Sequence, residues 1–197
     1  MQKTDRELII ISGANGSGKT TFAMEYMDVI DYEFLNADEI AKEIEKENPN
    51  NALIKAGRIF FKRLNDCIKE HRSFVIETTL SGTYINKVAI RARENGYKLI
   101  MIYLFLDDPK LCIERVNIRV LKGGHNVPIE DIVRRFYRSK NNFWNNFTDL
   151  ADSWSLIYNG DKGFQQVAIG EGQEQEYSIE NPELFKKFKN ISNEGSE

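Results

Sequence analysis

The chain has 197 residues and a mass of 22.8 kDa, which at roughly 150 residues per domain is one domain with room for an appendage. Apolar residues make up 41 % and charged residues 29 %, a globular balance that excludes wholesale disorder. The net charge is −3, yet residues 171–197 hold seven carboxylates and three lysines, so the remainder carries 24 basic against 23 acidic residues, without the broad basic footprint of a duplex-DNA binder.

Apolar runs of strand character alternate with helical stretches along the chain. Leu8–Ile11 is β-rich, and helical spacing follows from Lys19 to Met27. Tyr32–Leu35 reads as a second strand, and Asp38–Glu47 and Ala52–Glu70 as helices parted by the breaker Asn48-Pro49-Asn50-Asn51. Phe74–Glu77 is a third strand and Tyr84–Glu94 a helix ended by Asn95-Gly96. Lys98–Leu106, apolar on both faces, fits a central parallel strand. Pro109 and Pro128 open two further helices separated by Gly123-Gly124, and Trp154–Tyr158 is a last core strand. This pattern predicts an α/β fold with a parallel sheet of about five strands, occupying residues 1–159. Beyond it, Phe164–Ile169 and Glu176–Ile179 form a hairpin around Gly170-Glu171-Gly172, followed by a helix Pro182–Lys189. Residues 160–197 therefore read as an appendage, with mobile last residues.

The longest apolar stretch, Leu99–Leu106, is far shorter than the ~20 residues that span a bilayer. The N-terminal run is too short for a secretory core, so the expectation is a cytoplasmic protein with no membrane partner. Cys67 and Cys112 stand far apart, and the histidines are only His71 and His125. Two buried thiols in a reducing compartment are expected rather than a zinc site.

The segment Gly13-Ala14-Asn15-Gly16-Ser17-Gly18-Lys19-Thr20, followed by Thr21, fits the phosphate-binding P-loop, and it sits between a strand and a helix as that loop must. Glycines let backbone N–H groups wrap phosphates, and the helix N-terminus adds partial positive charge. In such a loop the lysine, here Lys19, reaches the β- and γ-phosphates and the hydroxyl of Thr20 binds Mg²⁺. ATP and Mg²⁺ are the cofactors this implies. Asn-Lys-x-Asp, the ABC signature and a strand-terminal Asp-Glu pair are all missing from the sequence, which argues against a GTPase, an ABC transporter ATPase and a motor ATPase.

Three further segments are recognisable with the P-loop: Asn36-Ala37-Asp38-Glu39-Ile40; Ile76-Glu77-Thr78-Thr79-Leu80-Ser81-Gly82; and Arg119 with Gly123-Gly124-His125-Asn126-Val127-Pro128 and Arg134-Arg135-Phe136. In this order and spacing, across about residues 8–159, they resemble the zeta toxin family of P-loop kinases, in particular its short stand-alone branch. The resemblance implies transfer of the ATP γ-phosphate to a hydroxyl of a small-molecule acceptor, a UDP-sugar such as UDP-N-acetylglucosamine, and a separate antitoxin protein as partner. This chain is shorter than the longer zeta toxins, which places its acceptor, rather than its kinase chemistry, in question.

By that resemblance Asp38 is the general base that takes the proton of the acceptor hydroxyl; from the residues alone it also reads as a helix N-cap, with Glu39 facing solvent. Glu77, at a strand end, has the chemistry to hold a Mg²⁺ water, an acceptor hydroxyl or a structural hydrogen bond; the resemblance assigns Glu77 and Thr79 to the acceptor. Arg119 and Arg135 are implied as the pair on the transferred phosphate, although spacing alone does not separate Arg135 from Arg134. Arg115 shares a helix face with Arg119 but also reads as an exposed ion pair. His125 belongs to a glycine lid. The stretch Asn48–Gly57 is the expected place of acceptor recognition. The aromatic run Phe136, Tyr137, Phe143, Trp144 and Phe147 reads as core, and Lys186-Lys187-Phe188-Lys189 as a solvated helix face. Two rival functions stand beside the kinase of small molecules: a nucleoside or polynucleotide kinase, with nucleic acid disfavoured by the neutral charge, and a non-catalytic ATP-binding partner module.

Overall fold

The computed structural model describes residues 6–46, 49–124, 126–172 and 176–191. Strand β1 (Arg6–Ser12) leads into α1 (Lys19–Met27), β2 (Glu33–Leu35), α2 (Ala37–Ile44), α3 (Leu53–Glu70), β3 (Phe74–Thr78), α4 (Tyr84–Glu94) and β4 (Tyr97–Phe105). The chain continues through α5 (Pro109–Leu121), α6 (Ile129–Asn142), a π-helical turn at Phe143–Phe147, α7 (Thr148–Leu150) and β5 (Ser153–Gly160). It closes with β6 (Gly163–Glu171), β7 (Glu176–Ile179) and α8 (Pro182–Asn190). The strands form one sheet in the order β2-β3-β1-β4-β5-β6-β7, parallel through β5 and antiparallel beyond it.

Strand alternation sorts the core onto two faces. Leu8 and Ile10 of β1 point to one side, with Phe74, Ile76, Leu99 and Met101, and are covered by Phe60 and Leu64 of α3, Val88 of α4 and Ile132 and Phe136 of α6. Ile9 and Ile11 point to the other, with Val75, Ile102 and Leu104, beneath Ala23, Phe22 and Tyr26 of α1. Both faces of the central strands are therefore dry, which is why β1, β3 and β4 read as continuous apolar runs. The aromatic run is core as expected: Phe136, Phe143 and Phe147 are buried, and the Phe143 ring stacks on Tyr103 at 4.5 Å. Cys67 and Cys112 are buried free thiols, and burial pushes both up to about 12.

The sheet has seven strands rather than about five. β5 turns back through Asp161-Lys162 into β6, with Gly160 opposite Gly163 and φ +78 at Gly163, a tight hairpin connection that adds an antiparallel strand. The expected Gly170-Glu171-Gly172 turn is corrected as well. Gly170 and Glu171 lie inside β6, paired with Tyr177 and Glu176, and a Cβ at Gly170 would stand 2.2 Å from the Trp154 indole. That glycine makes room for a ring. α8 is more than a solvated face: its lysines are exposed, but Phe188 is fully buried against Tyr103, Phe105 and Phe143, and the Lys189 ammonium sits 3.9 Å above the Trp144 ring. α2 ends at Ile44, short of Glu47, because Glu45 adopts an extended conformation.

Candidate functional site

β1 delivers the chain into the P-loop at the carboxyl edge of the sheet, between β3 and β4, where the order of strands diverges to either side. The loop conformation demands glycine. At Gly16 φ is +81 and a Cβ would lie 2.5 Å from the Cys112 carbonyl oxygen. Gly18, at φ +93, occupies the N-cap of α1 without a side-chain cap, so the first-turn amides of that helix face the loop. The buried Lys19 donates from Nζ to the Ala14 carbonyl at 2.7 Å. Burial holds its pKa below the usual lysine range, and Arg119 adds to this, against the opposing pull of Glu77, Cys112 and Asp38.

Around this loop opens a cavity of ≈ 910 Å³, at the upper end of small-molecule sites. On the β3–β2 side, Glu77 accepts from the Thr20 hydroxyl at 2.9 Å and from Asn36 Nδ2 at 2.6 Å. Burial raises the Glu77 pKa, opposed by Lys19 and by these two hydrogen bonds. Asn36 is the N-cap of α2: its Oδ1 accepts from the amides of Asp38 at 2.8 Å and Glu39 at 3.3 Å. The capping reading of Asp38 is thereby corrected. Asp38 sits in the first turn, exposed and lining the cavity. Glu39, expected to face solvent, is half-buried and pairs with Lys42 at 2.6 Å. Thr79 lines the cavity, its hydroxyl 2.9 Å from that of Ser81. The following Leu80 has φ +55, a strained value for a buried leucine, and its carbonyl accepts from Asn142 Nδ2 at 2.7 Å.

On the β4–β5 side the cavity is basic. Arg115 and Arg119 of α5 line it together with Lys122, Gly123 and Gly124. Arg115 is not the surface ion pair its sequence also allowed: it is half-buried and donates to the Asn159 carbonyl at 3.0 Å. Asn159 in turn donates from Nδ2 to the Ser17 carbonyl at 2.9 Å, so the end of β5 and α5 are both tied to the P-loop. Arg135 stands outside the cavity lining but reaches Asn15 of the loop at 3.4 Å, with Asp131 at the same distance. Arg134 turns away, 55 % exposed, to the other oxygen of Asp131 at 2.8 Å. The geometry thus separates two neighbours that spacing did not. His125 lies outside the described residues.

The remaining P-loop positions divide plainly. Asn15, Gly16, Gly18, Lys19, Thr20 and Thr21 line the cavity, whereas Gly13, Ala14 and Ser17 do not. Sequence reasoning missed Asn36 as a bridge, Asn159, and an apolar wall made by Phe60 and Phe61 of α3 with Tyr84 and Ile85 of α4. Among the described residues of the stretch Asn48–Gly57, Gly57 lines the cavity.

Residues 8–139 match the family described as AAA domain. An uncharacterized protein of Haemophilus influenzae is 36 % identical over 129 residues, 66 % of this chain and 91 % of that protein. Among solved structures, that of AvrRxo1-ORF1:-ORF2 with ATP superposes with a TM-score of 0.72 at 18 % identity, over 98 % of this chain and 67 % of that one. The PezAT chromosomal toxin-antitoxin system of Streptococcus pneumoniae superposes with a TM-score of 0.61 at 15 % identity, over 79 % and 68 %. This chain thus spans about two thirds of the length of either solved chain, and at these identities the likeness is one of fold. With a phosphate loop set between strand and helix and a family match from the first strand into α6, the chain belongs to the AAA domain family.

Proposed function

We propose that the protein is an ATP-dependent kinase of zeta toxin type that moves the γ-phosphate to a hydroxyl of a small molecule, with a nucleotide sugar such as UDP-N-acetylglucosamine as the acceptor to test first. The observation that carries this reading is the division of one cavity: Lys19 and Thr20 stand between a carboxylate side, Asp38 and Glu77, and an arginine side, Arg115 and Arg119. A hydrolytic switch needs no such second compartment; a transferase needs somewhere to hold the acceptor. The ATP present in the AvrRxo1 structure and the toxin-antitoxin pairing of PezAT support ATP as donor and a separate antitoxin-like protein as partner.

The residues fit Mg²⁺-ATP. The Thr20 hydroxyl and Glu77 carboxylate, 2.9 Å apart, are hard oxygen donors suited to a magnesium ion that keeps most of its waters. The loop amides and Lys19 suit phosphate oxygens. When bound, the nucleotide supplies the phosphoryl group and the metal neutralises its charge. The chain's own part is positioning and proton transfer. Lys19 and the first-turn amides of α1 hold the phosphates. Asp38, exposed in the cavity, orients the acceptor hydroxyl and takes its proton. Arg119 from within the cavity, and Arg135 through the loop at Asn15, stabilise charge on the group in flight, where a permanent charge and a fork of donors are most effective.

The test is transfer of labelled γ-phosphate from ATP with Mg²⁺ to UDP-sugars and to a small-molecule extract. A labelled small product is expected from the wild type. Asp38→Asn should retain ATP affinity and lose turnover by at least about 100-fold, the usual scale of a lost general base. Unchanged turnover in that variant removes Asp38 from the chemistry.

A further inference from the structure

A loop that turns its amides in toward an anion turns carbonyls outward, and those carbonyls need donors. Ala14 meets this need locally: its carbonyl accepts from Lys19 Nζ at 2.7 Å and from the Ser17 amide at 3.2 Å. The Ser17 carbonyl is served from far along the chain. Asn159, near the end of β5 and 142 residues away, donates to it from Nδ2 at 2.9 Å. The amide nitrogen is the end that faces Ser17, because a carbonyl oxygen only accepts.

That bond has a consequence on the other side of the peptide. A trans peptide is planar, so its C=O and N–H point in opposite directions. Holding the Ser17 oxygen against Asn159 therefore turns the Gly18 N–H the other way. Gly18 lines the cavity, and among the described residues nothing accepts from its N–H. It is also the N-cap of α1, where the helix dipole favours negative charge. The free amide is thus placed for an anion.

A second observation is steric. A Cβ at Gly18 would stand 2.1 Å from Asn159 Nδ2, so the glycine lets the Asn159 side chain seat directly on the loop. Asn159 is itself held from two directions. Its carbonyl accepts from Arg115 at 3.0 Å, and it pairs across the hairpin with Phe164, which packs edge-on against Phe22 of α1 at 5.2 Å. Asn159 lies beyond the residues 8–139 that match the family, and the spacing of the loop motif does not specify it.

We propose that Asn159 is a positioning residue for phosphate binding: by holding the Ser17 carbonyl, its side chain aims the Gly18 N–H at a phosphate oxygen of the nucleotide. The role rests on the reading of the loop as an ATP site and is independent of the acceptor.

The experiment measures binding, not transfer. The full chain is titrated with Mg²⁺ and the non-hydrolysable analogue adenylyl imidodiphosphate, by calorimetry and by amide proton–nitrogen correlation spectra. In the wild type the Gly18 amide proton should move downfield on binding, as a charge-assisted hydrogen bond requires. Asn159→Ala should weaken the analogue at least about tenfold, the scale of a hydrogen bond to a charged group, and most of the Gly18 shift should vanish. Asn159→Asp keeps the shape of the side chain but sets oxygen against oxygen; it should show the same loss, and it carries the test where Asn159→Ala fails to fold. Val88→Ala, in a buried position of α4 outside the cavity lining, controls for lost stability and should leave affinity within about twofold and the Gly18 shift intact. A full Gly18 shift in the Asn159 variants, wild-type affinity in either of them, or the same losses in Val88→Ala overturns the role. Binding by the wild type with unaltered Asn159 variants removes the positioning role alone; no binding by the wild type removes the ATP reading and the role with it.

Discussion

Asn36 carries two bonds that can be pulled apart by substitution. Its Oδ1 caps α2, accepting from the amides of Asp38 and Glu39, and its Nδ2 donates to the Glu77 carboxylate at 2.6 Å. Replacing it by alanine removes the cap, worth about 1 kcal/mol, and a hydrogen bond to a buried charged group, worth about 1.5–3 kcal/mol. The sum, roughly 3 kcal/mol, corresponds in a chain of this size to a Tm lower by about 6–12 °C. Asn36→Asp keeps the cap but puts an oxygen where the donor stood, so two carboxylates face each other and one retains a proton. Glu77 already has a pKa raised by burial, and the new neighbour raises it further. A carboxylate whose folded pKa lies above its unfolded value contributes stability that is complete below the unfolded pKa of 4.5 and is lost as pH rises through the folded pKa. The deficit of Asn36→Asp against wild type should therefore be small near pH 4.5 and several-fold larger at pH 8, whereas that of Asn36→Ala should show far less pH dependence. Urea denaturation at both pH values measures this. An Asn36→Asp variant as stable as wild type at pH 8 would refute the bridge to Glu77, and an Asn36→Ala loss under about 0.5 kcal/mol would refute the cap as well.

Two other variants probe separate joints. Phe188→Ala empties a fully buried site among Tyr103, Phe105 and Phe143 and should cost about 3–5 kcal/mol, lowering Tm by roughly 6–20 °C; a fall of less than about 2 °C would mean that α8 does not share the core. Arg135→Ala, which loses the contact to Asn15, should reduce phosphoryl transfer at least tenfold, while Arg134→Ala, which loses an exposed ion pair of little energetic weight, should leave it within about twofold; equal effects in the same radiometric assay would mean that the contact to the loop carries no function.

The first five strands were legible because each is a short apolar run bounded by turn residues, and β1, β3 and β4, buried on both faces, announced themselves most plainly. The strands Phe164–Ile169 and Glu176–Ile179 were legible as a hairpin, and they pair as one; their place in the main sheet was not, because Asn159-Gly160-Asp161-Lys162-Gly163 reads equally as the end of a sheet and as a tight hairpin, and only pairing of β6 with β5 decides. Gly170 misled for a related reason: glycine marks a turn or a place where another group comes close, and here that group is Trp154. At the site, the P-loop was legible because its chemistry fixes a spacing. Asn36 and Asp38 were harder, since both are good capping residues two positions apart, and which of them caps depends on where the helix begins. Phe61 could not be told from a core phenylalanine: its face of α3 is continuous with that of Gly57, and a weak glycine followed by an aromatic looks like indifferent helix until the cavity beside them is seen.

The division of the cavity follows from sheet order. β2 and β3 lie on one side of β1, and β4 and β5 on the other, so residues 36–84 supply the carboxylates and the aromatic wall, and residues 115–159 supply the arginines and their support. The two sides differ in how they are held. On the first, Thr20 and Asn36 both donate to Glu77, one to each carboxylate oxygen, and tie it to the phosphate loop and to the N-cap of α2. On the second, the connection runs from Arg115 to Asn159 to Ser17, and Asn159 lies beyond the segment 8–139 that defines the family. Its position depends on the β5–β6 hairpin, whose Phe164 packs edge-on against Phe22 of α1 at 5.2 Å, and on α8, whose Lys187 holds Asp107 just ahead of α5 at 3.0 Å. The residues after β5 are thus coupled to the phosphate loop through both α1 and α5. Chain ends that look peripheral in sequence bear on the geometry of the basic side, while the carboxylate side is lined by residues from the first half of the chain.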